Sequence, residues 1–179
     1  EHIIEPTTLS VSCVFYDTDY NVLATTIESL HNAFQEAVKQ NNLNSCTFYL
    51  INNHPTTPES FQQTAVLAQS LFSKTEIING HGNIGYGRAN NLAINNSNSE
   101  FHLILNPDVK IDIAAIDEGI RFLAQNPDVD LVAPNATNNS GENEYLAKRM
   151  PNPFIILLRG INNPTLNKVF KKQLDWYTY

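Results

Sequence analysis

The sequence has few cysteines and no long hydrophobic run, and both absences narrow its class. Only two cysteines occur in 179 residues, Cys13 and Cys46, and neither has a second cysteine or a histidine at metal-binding spacing. We therefore expect two buried, reduced thiols. No run approaches the roughly 18 apolar residues that cross a bilayer, and residues 1–30 lack the pattern of a secretory signal. The sequence predicts a soluble chain that forms one domain over residues 1–179.

Common nucleotide-binding and catalytic motifs are also missing. Gly82, Gly85 and Gly87 are spaced G-x-x-G-x-G, which differs from the G-x-G-x-x-G of dinucleotide-binding folds. The sequence contains no P-loop, no G-x-S-x-G nucleophile elbow and no H-x-x-x-H pair, which disfavours P-loop, hydrolase and zinc chemistry. The three glycines precede a predicted helix. They fit either a plain turn or a site where backbone N–H groups and Arg88 face an anion.

Basic residues are scarce and unevenly distributed. The chain has 11 Lys and Arg against 18 Asp and Glu, and this acidic excess disfavours nucleic-acid binding. Residues 145–179 reverse the balance, because they hold one acid, Asp175, and the basic residues Lys148, Arg149, Arg159, Lys168, Lys171 and Lys172. This basic C-terminal segment would face a diphosphate or an anionic membrane surface, or form a solvated basic face.

Apolar residues alternate between strand and helix periodicity along the chain. The pattern predicts strands at 9–16, 47–51, 76–78, 101–105 and 129–133, and helices after residue 19, from residue 58, at 88–95 and at 113–123. Strands separated by helices predict an α/β fold, with a mostly parallel central sheet flanked by helices on both faces. We place the core at residues 9–134, followed by a loop and the basic C-terminal segment at 135–179.

One acidic residue at the exit of a predicted strand is a candidate functional residue. Phe101–Leu105 is typical of a strand covered on both faces, and Asn106-Pro107 ends it before Asp108. Ligands of open α/β sheets bind outside the carboxyl ends of the strands, so Asp108 is well placed to hold a metal or a metal-bound phosphate. The alternative is an ordinary Asn-Pro-Asp turn. We expect Tyr16, Asn52 and Asp108 to lie at one end of the sheet.

Two segments together resemble a known family. They are NIGYGRANNLAI at residues 83–94 and LILNPDV at residues 103–109. These resemble the Asn-x-Gly-aromatic-Gly-x-x-Asn-Asn and Leu-Asn-Pro-Asp segments of family 2 glycosyltransferases, particularly the rhamnosyltransferase-like bacterial enzymes. The likeness covers residues 9 to about 150. It implies a GT-A-type fold that binds a UDP- or dTDP-linked sugar and transfers the sugar to a polysaccharide or lipid-linked acceptor of the cell envelope. It also implies a cytoplasmic protein, with peripheral contact to the membrane through the basic C-terminal segment.

The same resemblance assigns roles to individual residues. Asp108 matches the metal-binding acid and would hold Mg²⁺ or Mn²⁺, which stabilises the charge of the leaving diphosphate. The residues implied in donor binding are Tyr16, Asp17 and Asn52 around the base and ribose, and Asn83, Gly85, Arg88, Asn91, Asn106 and Arg149 around the diphosphate and sugar. Asn52 and Asn106 stand where the family commonly has acids, which weakens the case for a pyrimidine base and leaves one carboxylate for the metal.

The resemblance further implies a general base on a later segment, and no residue after Tyr145 matches it. Asp175 lacks the flanking glycines. We therefore expect that this chain ends before the base or does not catalyse transfer by itself. Two alternatives are a non-catalytic nucleotide-sugar-binding or scaffold module and a sugar nucleotidyltransferase. The latter is disfavoured because Asp17-Thr18-Asp19 is acidic where its activating loop is rich in glycine and basic residues.

Overall fold

Strands and helices alternate along the chain. The computed structural model describes residues 7–138, 140–141, 143–144, 153–161 and 168–172. The strands are β1 (Thr7–Phe15), β2 (Leu43–Asn52), β3 (Lys74–Ile78), β4 (Phe101–Leu105), β5 (Ala136–Thr137) and β6 (Asn143–Glu144). The helices are α1 (Tyr20–Lys39), α2 (Glu59–Leu71), α3 (Tyr86–Asn96), α4 (Ala115–Gln125) and α5 (Pro153–Ile161). The chain divides into two compact units, Glu1–Asp130 and Leu131–Tyr179.

The first unit is built on a four-stranded sheet in the order β3-β2-β1-β4. Every neighbouring pair is parallel, which confirms the predicted sheet. Phe15 pairs with Asn52 and Cys13 pairs with Leu105, so the carboxyl ends of β1, β2 and β4 meet at one edge. That edge is the place where ligands bind in folds of this class.

Helices cover both faces of this sheet, as predicted. Alternate residues of β1 point to opposite faces. On one face, Val11 and Phe15 pack against α1, α2 and α4. On the other face, Val14 packs against α3. Helix α1 begins after Asp19, whose Oδ1 accepts hydrogen bonds from the N–H groups of Asn21 and Val22. The acidic turn in the sequence is therefore a helix N-cap.

Strand β4 differs from its expected environment. The apolar run Phe101–Leu105 predicts a strand covered on both faces, but among the described strands β4 pairs only with β1 and lies at the sheet edge. The side chain of Ile104 is 49% exposed. Burial on both faces was therefore wrong at Ile104, because an apolar run alone does not determine which neighbours cover it.

The predicted strand at residues 129–133 is also wrong. This segment is irregular and pairs with no strand that the structure describes. Leu131 is 83% exposed. A strand requires a partner for its backbone N–H and C=O groups, and the short apolar run VDLVA does not supply one.

The second unit contains a short antiparallel pair and one helix. Ala136 of β5 pairs with Glu144 of β6. Helix α5 begins at Pro153, a position where the missing N–H of proline removes no helical hydrogen bond. Ile155 and Leu158 are buried, while Phe154 and Ile156 are exposed.

The aromatic packing under α2 provides a test of the fold. The rings of Phe48 and Phe72 are stacked with centroids 5.1 Å apart, and Phe48 is fully buried. We expect Phe48→Ala to lower the free energy of unfolding by about 3–5 kcal/mol in urea denaturation, because it leaves a cavity. Phe122→Ala is the control, since Phe122 is 46% exposed, and it should cost less than about 1 kcal/mol. Equal losses would contradict the placement of Phe48 in the core.

Candidate functional site

A cleft opens at the edge where the parallel strands end. Its volume is about 300 Å³. Its lining comes from the ends of β1 and β2 and from the segments that follow β3 and β4, and consists of Val14, Tyr16, Thr18, Asn53, Asn83, Tyr86 and Pro107. The lining is therefore a mixture of apolar, aromatic and amide groups. Such a surface suits a ligand with a planar ring and hydrogen-bonding groups.

Two asparagines fix the loop that precedes α3. Asn53 Nδ2 donates to Asn83 Oδ1 at 3.2 Å, and the N–H of Ile84 donates to Asn53 Oδ1 at 3.0 Å. Asn83 Oδ1 also accepts from the N–H of Gly85 at 3.0 Å. The end of β2 is thereby connected to the start of α3. This connection holds one wall of the cleft in place.

Gly85 occupies the N-cap of α3 in a conformation that favours glycine. Its φ is 84° and its ψ is 154°. A side chain there would strain the backbone, so the glycine is required by the turn. Arg88 and Asn91 are exposed on α3, and Arg88 forms no ion pair with any residue that the structure describes. A helix N-terminus beside an unpaired cation is suited to an anion.

Asn52 has a different environment from the one expected for a base-binding residue. Its side chain is 0% exposed. Nδ2 donates to Thr56 O at 2.7 Å and to Asn79 Oδ1 at 2.9 Å, while Oδ1 accepts from the N–H of His54 at 3.0 Å. The amide therefore organises the loop after β2. In this arrangement it presents no exposed atom to a ligand, and its neighbour Asn53 lines the cleft instead.

The exit of β1 carries two of the predicted residues. Tyr16 is exposed and lines the cleft, and its ring is tilted against that of His54 with centroids 5.9 Å apart. Asp17 is exposed and has a φ of 55°. A positive φ is uncommon for a residue other than glycine and is concentrated in turns and functional sites. The turn at Asp17 directs the chain from the strand into Thr18 and α1.

Helix α1 holds the loop that carries Asp108. Thr26 Oγ1 donates to Pro107 O at 3.0 Å, and Ser29 Oγ accepts from the N–H of Ile111 at 3.0 Å. These two bonds flank Asp108, which is itself exposed. The carboxylate is therefore accessible on a loop that is fixed on both sides. Such preorganisation is what a ligand-binding acid requires.

Tyr86 connects the start of α3 with the loop after β4. Its hydroxyl donates to Asn106 Oδ1 at 2.7 Å. Burial raises the pKa of Tyr86, and the nearby charge of Asp108 also raises it. The hydroxyl is therefore protonated at neutral pH and available as a donor.

The available ligands suit a metal that is shared with a substrate. Among the described residues, no three His, Cys, Asp or Glu side chains converge. Asp108 is the one predicted metal ligand. Mg²⁺ is commonly held by one or two carboxylates, with phosphate oxygens and water completing its shell. The residues present therefore fit a divalent ion that binds together with a diphosphate.

Two of the predicted residues line the cleft, and Asp17, Gly85, Asn106 and Asp108 are adjacent in sequence to residues that line it. Tyr16 and Asn83 line the cleft, while Arg149, with Lys148, lies outside the described residues. Five residues that line the cleft were not predicted from the sequence: Val14, Thr18, Asn53, Tyr86 and Pro107. All of them except Val14 had a signal, since each is adjacent in sequence to a predicted residue.

A comparison with protein families gives a match over most of the chain. The family described as Glycosyl transferase family 2 matches residues 10–175. No curated protein matches the chain. The matched range includes the parallel sheet, the cleft and Asp108, and it covers most of the 179 residues.

The two cysteines, which lie in β1 and β2, should be unreactive in the folded protein. Both are free and buried, which confirms the expectation, and burial raises the pKa of Cys13 and of Cys46 to about 12. A thiol reagent at pH 8 should label them only after urea is added. Unfolded thiols ionise near pH 8.5 whereas these do not, so the free energy of unfolding should fall as the pH rises above about 8.5. Rapid labelling of the folded protein would contradict their burial.

Proposed function

The chain belongs to glycosyl transferase family 2, and we propose that its cleft binds the nucleotide diphosphate of a sugar donor. The sugar is transferred to a polysaccharide or lipid-linked acceptor. The observation that carries this proposal is that Asn83 and Tyr86, at the start of α3, and Pro107, the residue before Asp108, line one cleft at the carboxyl edge of the parallel sheet. This edge supplies a helix N-terminus and a carboxylate, which a diphosphate and its metal require.

The donor is oriented by the chemistry of the two sides of the cleft. Tyr16 and Asp17, with Thr18, form the side that we assign to the base and ribose, because an exposed aromatic ring can stack on a base. The start of α3, with Asn83, Gly85, Arg88 and Asn91, is assigned to the diphosphate and sugar. Asn52 acts here through the loop it organises, and Asn106 through its hydrogen bond with Tyr86.

Asp108 is the residue that would hold the divalent ion. Mg²⁺ or Mn²⁺ supplies positive charge that stabilises a departing nucleoside diphosphate. The loop anchors at Thr26 and Ser29 keep the carboxylate in place without using its own oxygens. Arg88 adds a second positive charge from α3.

The resemblance carried by residues 83–94 and 103–109 supports the finer identity of the substrates. A UDP- or dTDP-linked hexose or rhamnose is the donor that we propose, with an acceptor in the synthesis of a bacterial envelope polysaccharide on the cytoplasmic side of the membrane. Because Asn52 is buried, the N3–H of a pyrimidine base would need another hydrogen-bond acceptor. The neutral side chains of Thr18 and Asn53, which line the cleft, are candidates for this acceptor. An inverting displacement also needs a base for the acceptor proton. Asp175, the last acid of the chain, lies outside the described residues.

Calorimetry of nucleotide binding tests the role of Asp108. UDP or dTDP should bind in Mn²⁺ and much more weakly in a chelator, with ADP and GDP as comparison ligands. Asp108→Asn should remove most of the metal dependence and leave the melting temperature nearly unchanged, because the carboxylate is exposed. Asp112→Asn is the matched control, since it removes a charge from the same loop and keeps the oxygen that accepts from the N–H of Ala114.

Two outcomes of the calorimetry would count against the proposal. Equal binding with and without metal in both proteins would mean that Asp108 only ends a turn. Absence of binding for every nucleotide, in a protein that melts cooperatively, would remove the nucleotide-sugar assignment. A thermal-shift series with UDP- and dTDP-linked sugars then selects the donor, because a ligand that binds only the folded state raises its melting temperature.

Peripheral membrane contact is the second part of the proposal. Among the helices that the structure describes, none has the length and apolar character to span a bilayer. Lys168, Lys171 and Lys172 are exposed close together in the sequence. Each lysine near an anionic surface contributes about 1 kcal/mol, or about fivefold in affinity. This favours contact with anionic lipid over neutral lipid.

Vesicle sedimentation measures this contact. The protein should bind vesicles that contain phosphatidylserine more tightly than phosphatidylcholine vesicles. Replacing Lys171 and Lys172 by alanine should weaken that binding by about tenfold or more. Lys39→Ala, an exposed lysine on α1, is the control and should have little effect. Equal binding to both kinds of vesicle would contradict the membrane assignment.

A further inference from the structure

A chain of polar side chains lies between the sheet and α3. Ser97 Oγ donates to Ser10 Oγ at 2.7 Å, and Ser10 Oγ is 2.7 Å from His102 Nδ1. On the other side of the ring, His102 Nε2 is 2.9 Å from Ser12 Oγ, which is 2.7 Å from Asn90 Oδ1. Ser10, Ser12 and Asn90 are buried. The chain therefore connects β1, β4 and α3, with Ser97 and His102 half-buried and the Ser12–Asn90 bond fully buried.

One backbone carbonyl determines the direction of the bonds between Asn90 and His102. Asn90 Nδ2 lies 3.0 Å from Tyr86 O, and a carbonyl oxygen only accepts. The amide nitrogen of Asn90 must therefore face Tyr86, so its oxygen faces Ser12. The hydroxyl of Ser12 must donate its single proton to that oxygen. Ser12 Oγ is then left to accept from His102.

The direction of these bonds assigns the tautomer of His102. Its Nε2 must carry the proton, because Ser12 accepts from it. In the neutral ring Nδ1 is then an acceptor. The hydroxyl of Ser10 lies 2.7 Å from Nδ1 and 3.4 Å from Phe101 O, so it donates its proton to the nearer Nδ1 while accepting from Ser97. Burial lowers the pKa of His102, which is consistent with a neutral ring at neutral pH. Each polar group of the chain has a partner in this one arrangement.

The chain ends at the candidate site. Asn90 holds the carbonyl of Tyr86, the first residue of α3, and the hydroxyl of Tyr86 donates to Asn106 in the loop before Asp108. We propose that His102 is a positioning residue for the donor site: its Nε2–H, acting through Ser12 and Asn90, holds the first turn of α3 against the sheet. The ligand that benefits is the nucleotide diphosphate, and in that respect the inference rests on the proposed function.

The unmodified protein provides the first test. In ¹⁵N spectra of the histidine rings at neutral pH, His102 should show a protonated Nε2 and an unprotonated Nδ1. His31 and His54 serve as internal references in the same spectra. A protonated Nδ1 on a neutral His102 ring would reverse the bond to Ser12 and overturn the proposal. This measurement needs neither a variant nor a nucleotide.

Three variants test whether His102 positions α3 through its hydrogen bond or only fills space in the protein interior. His102→Leu keeps an apolar side chain but removes the donor to Ser12, whereas His102→Gln can supply an N–H from its amide. His31→Leu is the matched control, because His31 packs against Phe72 on the opposite face of the sheet. The readout is hydrogen exchange at the N–H of Ala89, which donates to Gly85 O in the first turn of α3.

The expected pattern is specific to a positioning role. His102→Leu should accelerate exchange at Ala89 by about tenfold while the amides of α1 are unchanged, since local opening is governed by local contacts. His102→Gln should restore most of the protection, and His31→Leu should leave it unaltered. If His102→Leu leaves Ala89 as protected as in the native protein, or accelerates exchange equally in α1 and α3, the proposal is wrong.

Nucleotide binding separates this proposal from the previous one. In Mn²⁺, UDP should bind His102→Leu about fivefold more weakly than the native protein, and His102→Gln nearly as well as the native protein. If UDP and dTDP fail to bind the native protein while the exchange results are as expected, the proposed function fails and the positioning of α3 stands. If His102→Leu binds nucleotide as tightly as the native protein, the link from His102 to the donor site is wrong.

Discussion

The candidate site depends on the parallel pairing of β1 with strands on both of its sides. Phe15 lies opposite Asn52, and Cys13 lies opposite Leu105, so three chain segments leave the sheet at one edge. Segments that are far apart in the sequence thereby become neighbours. An antiparallel arrangement would have sent the loops after β1 and β4 to opposite ends. The pairing is supported by fully buried β1 side chains such as Val11 and Phe15, which pack under α1, α2 and α4.

The loops at this edge are held mainly by amides and hydroxyls. Asn53 and Asn83 join the end of β2 to the start of α3, and Thr26 holds the loop after β4. Arg88 and Asp108 do not contribute ion pairs to these loops, because neither forms an ion pair with a described residue. A carboxylate and a guanidinium that are not neutralised by the protein retain their charge for a ligand. This separation of the groups that hold the loops from the unpaired charges is consistent with the proposed diphosphate and metal.

Much of the fold could be predicted from the sequence because its signals are local. Helix α1 has a capping acid at Asp19, and the apolar period of each strand and helix is visible within a short window. The position of Asp108 at the carboxyl end of the sheet was predicted from the strand that precedes it. The exposure of Ile104 and the absence of a strand at 129–133 could not be predicted, since both depend on which segments lie alongside. The same is true of Asn52, whose burial results from contacts with His54, Thr56 and Asn79.

The series of hydrogen bonds that joins Ser97 to Asn90 through His102 could not be predicted from the sequence either. Ser10, Ser12 and His102 lie on two strands that are far apart in the chain, and serine and histidine in strands have no distinctive spacing. Their relation exists because the register places Ser10 opposite His102. A shift of one residue would turn these side chains to the other face of the sheet. The pairing that creates the cleft thus also creates its internal support.

The neutral character of the amide contacts has a consequence for the response of the protein to ionic strength. At 0.1 M, mobile ions largely screen interactions between exposed charges that are more than about 10 Å apart, but they have little effect on hydrogen bonds between uncharged groups. The Asn53–Asn83 contact should therefore keep its geometry over a wide range of electrolyte concentration. Any weakening of anion binding by added electrolyte would then report on the ligand and on Arg88, and not on loosening of the loops around them.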